Sequence, residues 1–232
     1  MLPHRADHIG SLLRPKKLRE AFRAHSEKKI GDAEFRAAQD EAIQDAIRLQ
    51  EDCGLQVVTD GESRRISYWE KFVRLTAGLE VRNAVFKFHD QQGHESDFTA
   101  PYAHARVSRR APITLDEFRF VKQHSGRMAK ITMPAPSTMH FYRFADWSDR
   151  AVYRDAAAFF ADLGKVYQAE LAELGAAGCR YVQLDEVAIA LLCDPAIRAM
   201  VERAGGDPGA LVDRYIDALN GCEVVTIGGK VR

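Results

Sequence analysis

Three strand-prone runs in this sequence each end in polar residues of the kinds that can bind an ammonium, a carboxylate or a phosphate. Val57-Val58 is followed by Thr59-Asp60-Gly61-Glu62, and then by Arg64 and Arg65. An apolar strand that delivers two carboxylates is costly unless the acids are solvated or paired. Such acids can accept hydrogen bonds from a substrate ammonium. The arginines can fix one of the acids, or clasp a substrate carboxylate through two parallel N–H donors. A purely structural Asp–Arg lock on the next helix is the alternative. Tyr181-Val182-Gln183-Leu184 ends in Asp185-Glu186, and here the strand is expected to be too buried for idle charge. Asp185 is the expected inward carboxylate, while Glu186 supports it or caps the following helix. The third run is Asp7-His8-Ile9-Gly10-Ser11. Its glycine permits a close backbone approach, and Ser11 offers a hydroxyl and an N–H to a carboxylate or phosphate. His8 is a candidate ligand or substrate contact, and a simple strand-end turn is the competing account.

A fourth segment, Ile131-Thr132-Met133-Pro134-Ala135-Pro136-Ser137-Thr138, leads to His140, Phe141 and Tyr142. Two prolines stiffen this loop, so it can hold an aromatic ring over a flat ligand at small entropic cost. Packing of that ring into a lid is the structural alternative. No GxGxxG, GxxxxGK[ST] or HExxH motif is present, which argues against dinucleotide, P-loop and zincin chemistry.

Chemistry in parallel α/β folds gathers where strands end and helices begin, so the elements matter. Strand-prone runs are expected at Asp7–Ser11, Leu55–Thr59, Ala129–Met133, Tyr181–Leu184 and Glu223–Ile227. Helical periodicity runs from Pro15, from Phe35 to Leu49 before Gly54, and from about Asp149 to Leu174. Two shorter helices, Pro195–Arg203 and Pro208–Leu219, each open on an Asp-Pro pair. This alternation predicts a parallel sheet covered by helices, in one domain spanning residues 1–232. About five β/α units are legible, whereas a closed (β/α)8 barrel has eight over about 250 residues. Residues 78–112 break the rhythm and read as an inserted hairpin or loop excursion after the second strand.

Lysine plus arginine and aspartate plus glutamate both number 33, so the formal charge is zero and gives no long-range pull toward nucleic acid or anionic lipid. With 46% hydrophobic and 28% charged residues, the chain has the composition of an ordinary globular protein. Cys53, Cys179, Cys193 and Cys222 form no CxxC pair, and no apolar run reaches spanning length; a cytoplasmic location without membrane or nucleic-acid partners is expected.

Four stretches in order, RADHIGSLLRP, LQEDCGLQVVTDGESRRISYWEKF, KITMPAPSTMH and AGCRYVQLDEVAIALLCDP, resemble the cobalamin-independent methionine synthase family, most closely its single-domain relatives that correspond to the catalytic C-terminal half of the long enzyme. The resemblance runs from about Arg5 to Asn220. It implies a partial TIM barrel and transfer of a methyl group from a methylated folate to the zinc-bound thiolate of homocysteine. By resemblance Ile9 and Ser11 contact the amino-acid part of homocysteine. Glu62 and Asp185, the implied catalytic pair, hold its amine, and Tyr142 stacks on the pterin, with Phe141 the other aromatic in reach. His8, Asp60, Arg65 and Glu186 are supporting candidates. Asp185-Glu186-Val187 departs from the long enzyme's Asp-Glu-Pro, which keeps methyl transfer from another donor to a thiol open. Family members continue past YIDALN into a His-x-Cys zinc pair, where this sequence reads GCEVVTIGGKVR. Zinc is therefore expected in the full-length family and none in this chain alone, no metal ligand is assigned, and the chain alone is expected to transfer no methyl group. A non-catalytic binding module that self-associates through exposed sheet edges is the remaining expectation.

Overall fold

A computed structural model describes residues 7–84, the backbone of 88–89 and 95–96, and residues 98–222. The chain divides into two compact units. The first comprises residues 1–68, 114–132 and 174–183, and the second 69–113, 133–173 and 184–232.

In the first unit, helix α1 (Lys16–Ser26) packs against α2 (Asp32–Asp52), with the Phe22 and Phe35 rings edge to face at 4.8 Å. Helix α2 buries Ala42, Ile43, Ile47 and Gln50, with Ala46 half-buried on the same side. Gly54 ends α2 at φ 78°, with Leu55 N–H returning to the Gln50 carbonyl. Strand β1 (Val57–Val58) then pairs in parallel with a later strand at Val57–Met128 and Val58–Ala129. Gln50 fixes the exit of β1: its side-chain amide donates to the Thr59 carbonyl (3.0 Å) and accepts the Thr59 N–H (2.9 Å). A side chain thus does for Thr59 what a neighbouring strand would do. Helix α4 (Leu115–His124) contributes Leu115, Phe118 and Val121 to the core, together with Glu117.

The second unit opens with α3 (Glu70–Arg74). Strands β2 (Thr76–Asn83) and β5 (Thr99–Arg109) form an antiparallel pair, bulged at Gly78, and two short strands between them, β3 (Phe88–His89) and β4 (Glu95–Ser96), also pair antiparallel. Gly78 has φ 84°, and a Cβ there would lie 2.5 Å from the Arg106 carbonyl oxygen. Helices α5 (Thr138–Phe141), α6 (Ala156–Ala176, through Glu173 in this unit), α7 (Ala188–Leu191), α8 (Pro195–Arg203) and α9 (Pro208–Asn220) follow. Asp194 and Asp207 cap α8 and α9 with their carboxylates, as the Asp-Pro pairs predict. An aromatic core of Trp147, Tyr153, Phe159, Phe160 and Tyr215 fills the unit.

Two further strands, β6 (Met128–Pro134) and β7 (Tyr181–Asp185), complete a sheet of order β1-β6-β7. The fold is α/β with a parallel pairing, and the described residues form no closed barrel.

Three expectations are corrected. Residues 7–11 form no strand; only an isolated parallel bridge joins Ser11 to Gly61. Gly10 stands at φ 126°, outside the extended region, and the carbonyls here are taken by side chains instead of a ladder. Lys130 Nζ donates to His8, Gln183 Nε2 to Ile9 and Thr59 Oγ1 to Gly10. The long helix starts at Ala156, not near Asp149, because Asp155 is the residue whose carboxylate caps it, accepting the Ala158 N–H. Asp149 closes a separate turn onto Ala151 N–H. Finally, every residue of β7 is only half-buried: it has a strand neighbour on one side alone among the described residues. The expected strand at 223–227 lies outside the described residues.

Candidate functional site

The exit of β1 turns sharply. Gly61 (φ 65°) and Glu62 (φ 56°) are both left-handed, and Glu62 carries a side chain there at a cost of about 1 kcal/mol. The turn is held by Asp60, whose Oδ1 accepts the Glu62 N–H at 2.9 Å, and by the Arg65 N–H, which donates to the Glu62 carbonyl at 3.1 Å. Strained, over-determined backbone of this kind concentrates at functional positions.

The Glu62 side chain is buried, and its Oε1 accepts the Thr132 hydroxyl at 2.6 Å. Arg65 Nη1 lies 3.4 Å from the same oxygen. Arg65 is itself sealed: Nη2 donates to Glu117 Oε2 at 2.7 Å and to the Thr132 carbonyl at 2.8 Å, and Nη1 to the Thr132 hydroxyl at 3.0 Å. Burial works against the Arg65 charge, and the Glu117, Asp60 and Glu62 carboxylates outweigh it, so its pKa rises. Arg65 is thus not an open clasp for a substrate carboxylate; its donors are occupied within the protein. Asp60 sits beside this network with 3% exposure. Burial, reinforced by the Glu117 charge and opposed by Arg65, pushes its pKa up to about 6, and its Oδ2 has no hydrogen-bond partner among the described residues.

The segment at residues 8–12 runs beside this turn. Ser11 bridges Gly61, and Leu12 N–H donates to the Gly61 carbonyl at 3.1 Å. A Cβ on Gly10 would lie 3.4 Å from Glu62 Oε1 and 2.5 Å from Thr132 Cγ2, so glycine alone lets the chain pass so close. Ser11 is exposed, Ile9 is 71% exposed, and the Ile9 carbonyl is already occupied by Gln183 at 2.7 Å. Both ring nitrogens of His8 are buried and have no hydrogen-bond partner among the described residues. The first unit therefore brings Ser11, Asp60, Glu62 and Arg65 together around Gly10 and Gly61.

The second unit holds the remaining candidates. Asp185 is half-buried at the end of β7, and its carbonyl accepts the Ala135 N–H at 3.0 Å. Glu186 takes the capping role: Oε1 accepts the Ile189 N–H at 2.9 Å in the first turn of α7, and Oε2 accepts the Ser137 hydroxyl at 2.6 Å. Tyr142 is 4% exposed, with its ring 4.9 Å from Phe98 and 5.5 Å from Phe141. Phe141 is fully buried.

Sequence reasoning missed Glu117, Thr132 and Lys130. Glu117 had a visible signal, since it lies four residues before Val121 on the apolar side of α4, where an idle acid is not tolerated. Lys130 and Thr132 interrupt the apolar β6 run on alternate positions, which places both on one strand face.

Among the described residues no group of three His, Cys, Asp or Glu side chains is gathered as a metal site. Burial pushes the Cys222 thiol up to about 12, and Sγ donates to the Ala218 carbonyl at 3.3 Å, the opposite of what a thiolate ligand needs. The described residues thus do not fit the zinc that the resemblance implies.

A family model described as the catalytic domain of cobalamin-independent synthase matches residues 5–198. The chain belongs to that family. Among its relatives, a methionine synthase of Sulfurisphaera tokodaii is 35% identical over 182 residues, covering 78% of this chain and 51% of that protein. Bacillus subtilis protein YxjH is 30% identical over 224 residues, covering 94% of this chain and 57% of the relative. A structure titled as a putative vitamin-B12-independent methionine synthase of Listeria monocytogenes superposes with a TM-score of 0.73 at 26% identity, over 94% of this chain and 60% of that one. A B12-independent methionine synthase of Shewanella, at 22% identity and a TM-score of 0.60, supports the fold alone. The chain of this cobalamin-independent synthase family member thus spans about half the length of the curated relatives it matches. No helix among the described residues is long and apolar enough to cross a membrane.

Proposed function

We propose that the chain takes part in methyl transfer from a methylated folate to the thiol of homocysteine, and that its first unit grips the amino-acid end of that substrate. The observation that carries this reading is the Glu62 carboxylate, set on a left-handed turn, tied down through Oε1 and running beside the Gly10–Ser11 backbone. A carboxylate held at one oxygen presents the other, at low entropic cost, to an ammonium group. Ser11, with its exposed hydroxyl, takes the substrate carboxylate, and Ile9 contributes its N–H because its carbonyl is already engaged. In the second unit Asp185 is the proposed acid for the amine and Tyr142 the proposed ring for the pterin. Asp60, Arg65 and His8 act behind Glu62 and Ser11. The family affiliation supports the reaction class.

The chain alone is expected to transfer no methyl group, so the test is homocysteine binding to it by calorimetry, with methionine formation from methyltetrahydrofolate or methylcobalamin as the second readout. Binding that weakens about 100-fold or more in Glu62→Gln, because a charge-assisted contact is lost at a buried site, supports the reading. Turnover with methylcobalamin alone overturns the donor assignment, and full affinity in Glu62→Gln overturns the role of the turn.

A further inference from the structure

We propose that Glu117 is a positioning residue that keeps Arg65 from neutralising Glu62, and so determines whether the site accepts an ammonium-bearing ligand. This rests on the amino-acid reading above and assigns a role to a helix residue outside every motif in the sequence.

The argument is a count of donors and acceptors. A guanidinium has five N–H bonds in a rigid plane, and a hydroxyl has one hydrogen. Glu117, fully buried on α4, engages Arg65 through Nε (3.3 and 3.4 Å) and Nη2 (2.7 Å). That two-point grip sets the plane. The second Nη2–H then meets the Thr132 carbonyl at 2.8 Å, and an Nη1–H meets the Thr132 hydroxyl oxygen at 3.0 Å. Because the hydroxyl oxygen is accepting from Arg65, its single hydrogen is free to point at Glu62 Oε1, 2.6 Å away. Oε1 is thereby committed, and among the described residues Oε2 has no hydrogen bond, with the Arg14 guanidinium the other cation beside this residue. One Nη1–H remains, near Glu62 Oε1 at 3.4 Å, longer than a good charge-assisted bond.

Remove the Glu117 charge and the balance changes. Arg65 stays buried beside Asp60 and Glu62, and an unpaired buried guanidinium turns to whichever carboxylate can reach it. Glu62 already lies within 3.4 Å. A closed Arg65–Glu62 pair leaves no charge for an incoming ammonium. Glu117 therefore acts on specificity through Arg65 without touching the ligand.

Titration calorimetry with two probes separates this from simple scaffolding: L-methionine, which carries the ammonium, and methylthiobutanoate, which lacks it. The wild type should prefer methionine, and Glu62→Gln should abolish the preference. Glu117→Gln should weaken methionine by about tenfold or more, the scale of one lost charge-assisted contact, and leave methylthiobutanoate unchanged. Glu62→Gln with Glu117→Gln should be no weaker than Glu62→Gln alone, since both act through one carboxylate. If Glu117→Gln does not fold, the paired Arg65→Met, Glu117→Met protein is used. Lacking an arginine to close on Glu62, it should keep the preference for methionine that Glu117→Gln loses; a preference lost in this paired variant overturns the proposal. So does equal weakening of both probes by Glu117→Gln, or strict additivity with Glu62→Gln. A wild type that does not prefer methionine, or a Glu62→Gln protein that still does, overturns the amino-acid reading instead.

Discussion

Each compact unit buries an arginine against a fully buried glutamate, and the two pairs serve different ends. In the second unit Arg109 meets Glu170 at 2.6 Å and Glu173 at 2.5 Å, and Glu170 also accepts the Ile113 N–H at 2.9 Å. That arrangement ties the chain after β5 to α6, with every partner structural. In the first unit Arg65 meets Glu117 at 2.7 Å, and its remaining donors reach Thr132 and, through it, the carboxylate of Glu62. The Arg109 side chain is 18% exposed and that of Arg65 is 3% exposed. The same ion pair is thus a fastening where its arginine has a second acid and some water. It becomes a device for presenting a carboxylate where the arginine is sealed and its spare donors lead to one.

The comparison predicts its own asymmetry. Glu117→Ala should cost about 3–5 kcal/mol, the range for unpairing a buried charge, whereas Glu170→Ala should cost about 1–3 kcal/mol because Glu173 and solvent still serve Arg109. Urea midpoints at unchanged slope measure both, and equal losses would erase the distinction.

The units should also respond oppositely to acid. Asp60 has its folded pKa raised from 3.8 to about 6, mainly by burial. Its protonated form favours the fold, so this contribution is full below 3.8 and is lost as pH rises through about 6. His140 in the second unit is lowered from 6.5 to about 3 by burial and then by the Arg214 and Arg150 charges, while its Nδ1 lies 2.9 Å from the Tyr215 hydroxyl. Its neutral form favours the fold, so this contribution is present above 6.5 and is lost as pH falls toward 3. Asp60→Asn should stabilise the protein by about 1–3 kcal/mol at pH near 7, with the gain gone below the unfolded carboxylate pKa. Amide exchange, corrected for intrinsic rates, should show α9 losing protection between neutral pH and about pH 5 while the residues around Arg65 do not. Joint loss of protection would contradict the assignment.

Two glycine substitutions separate strain from function. Gly10→Ala and Gly78→Ala each place a methyl group about 2.5 Å from a neighbour at positive φ, and each should cost about 1–3 kcal/mol. Only Gly10→Ala displaces Thr132, so only it should weaken methionine binding in calorimetry.

Much of the framework was legible because its signals are local. Periodicity located α2, Asp-Pro pairs located the starts of α8 and α9, and apolar runs located β1, β6 and β7. The failures share a cause: the deciding partner is distant in the chain. Residues 7–11 look like a strand until Lys130, Thr59 and Gln183 are seen to occupy their carbonyls. The acids of the first unit were readable as a group. The arginine's orientation was not, because it is set by Glu117, 52 positions away. Glu186 could be read as either a supporting acid or a helix cap, and its oxygens are engaged by Ile189 N–H and the Ser137 hydroxyl.

A crystal structure of the protein with L-methionine bound tests the central claim most directly. The account predicts the ligand's ammonium nitrogen about 3 Å from the Glu62 carboxyl oxygen that Thr132 does not hold, with Arg65 still on Glu117. Methionine bound with its ammonium elsewhere, or Arg65 swung onto Glu62 in that complex, would contradict it.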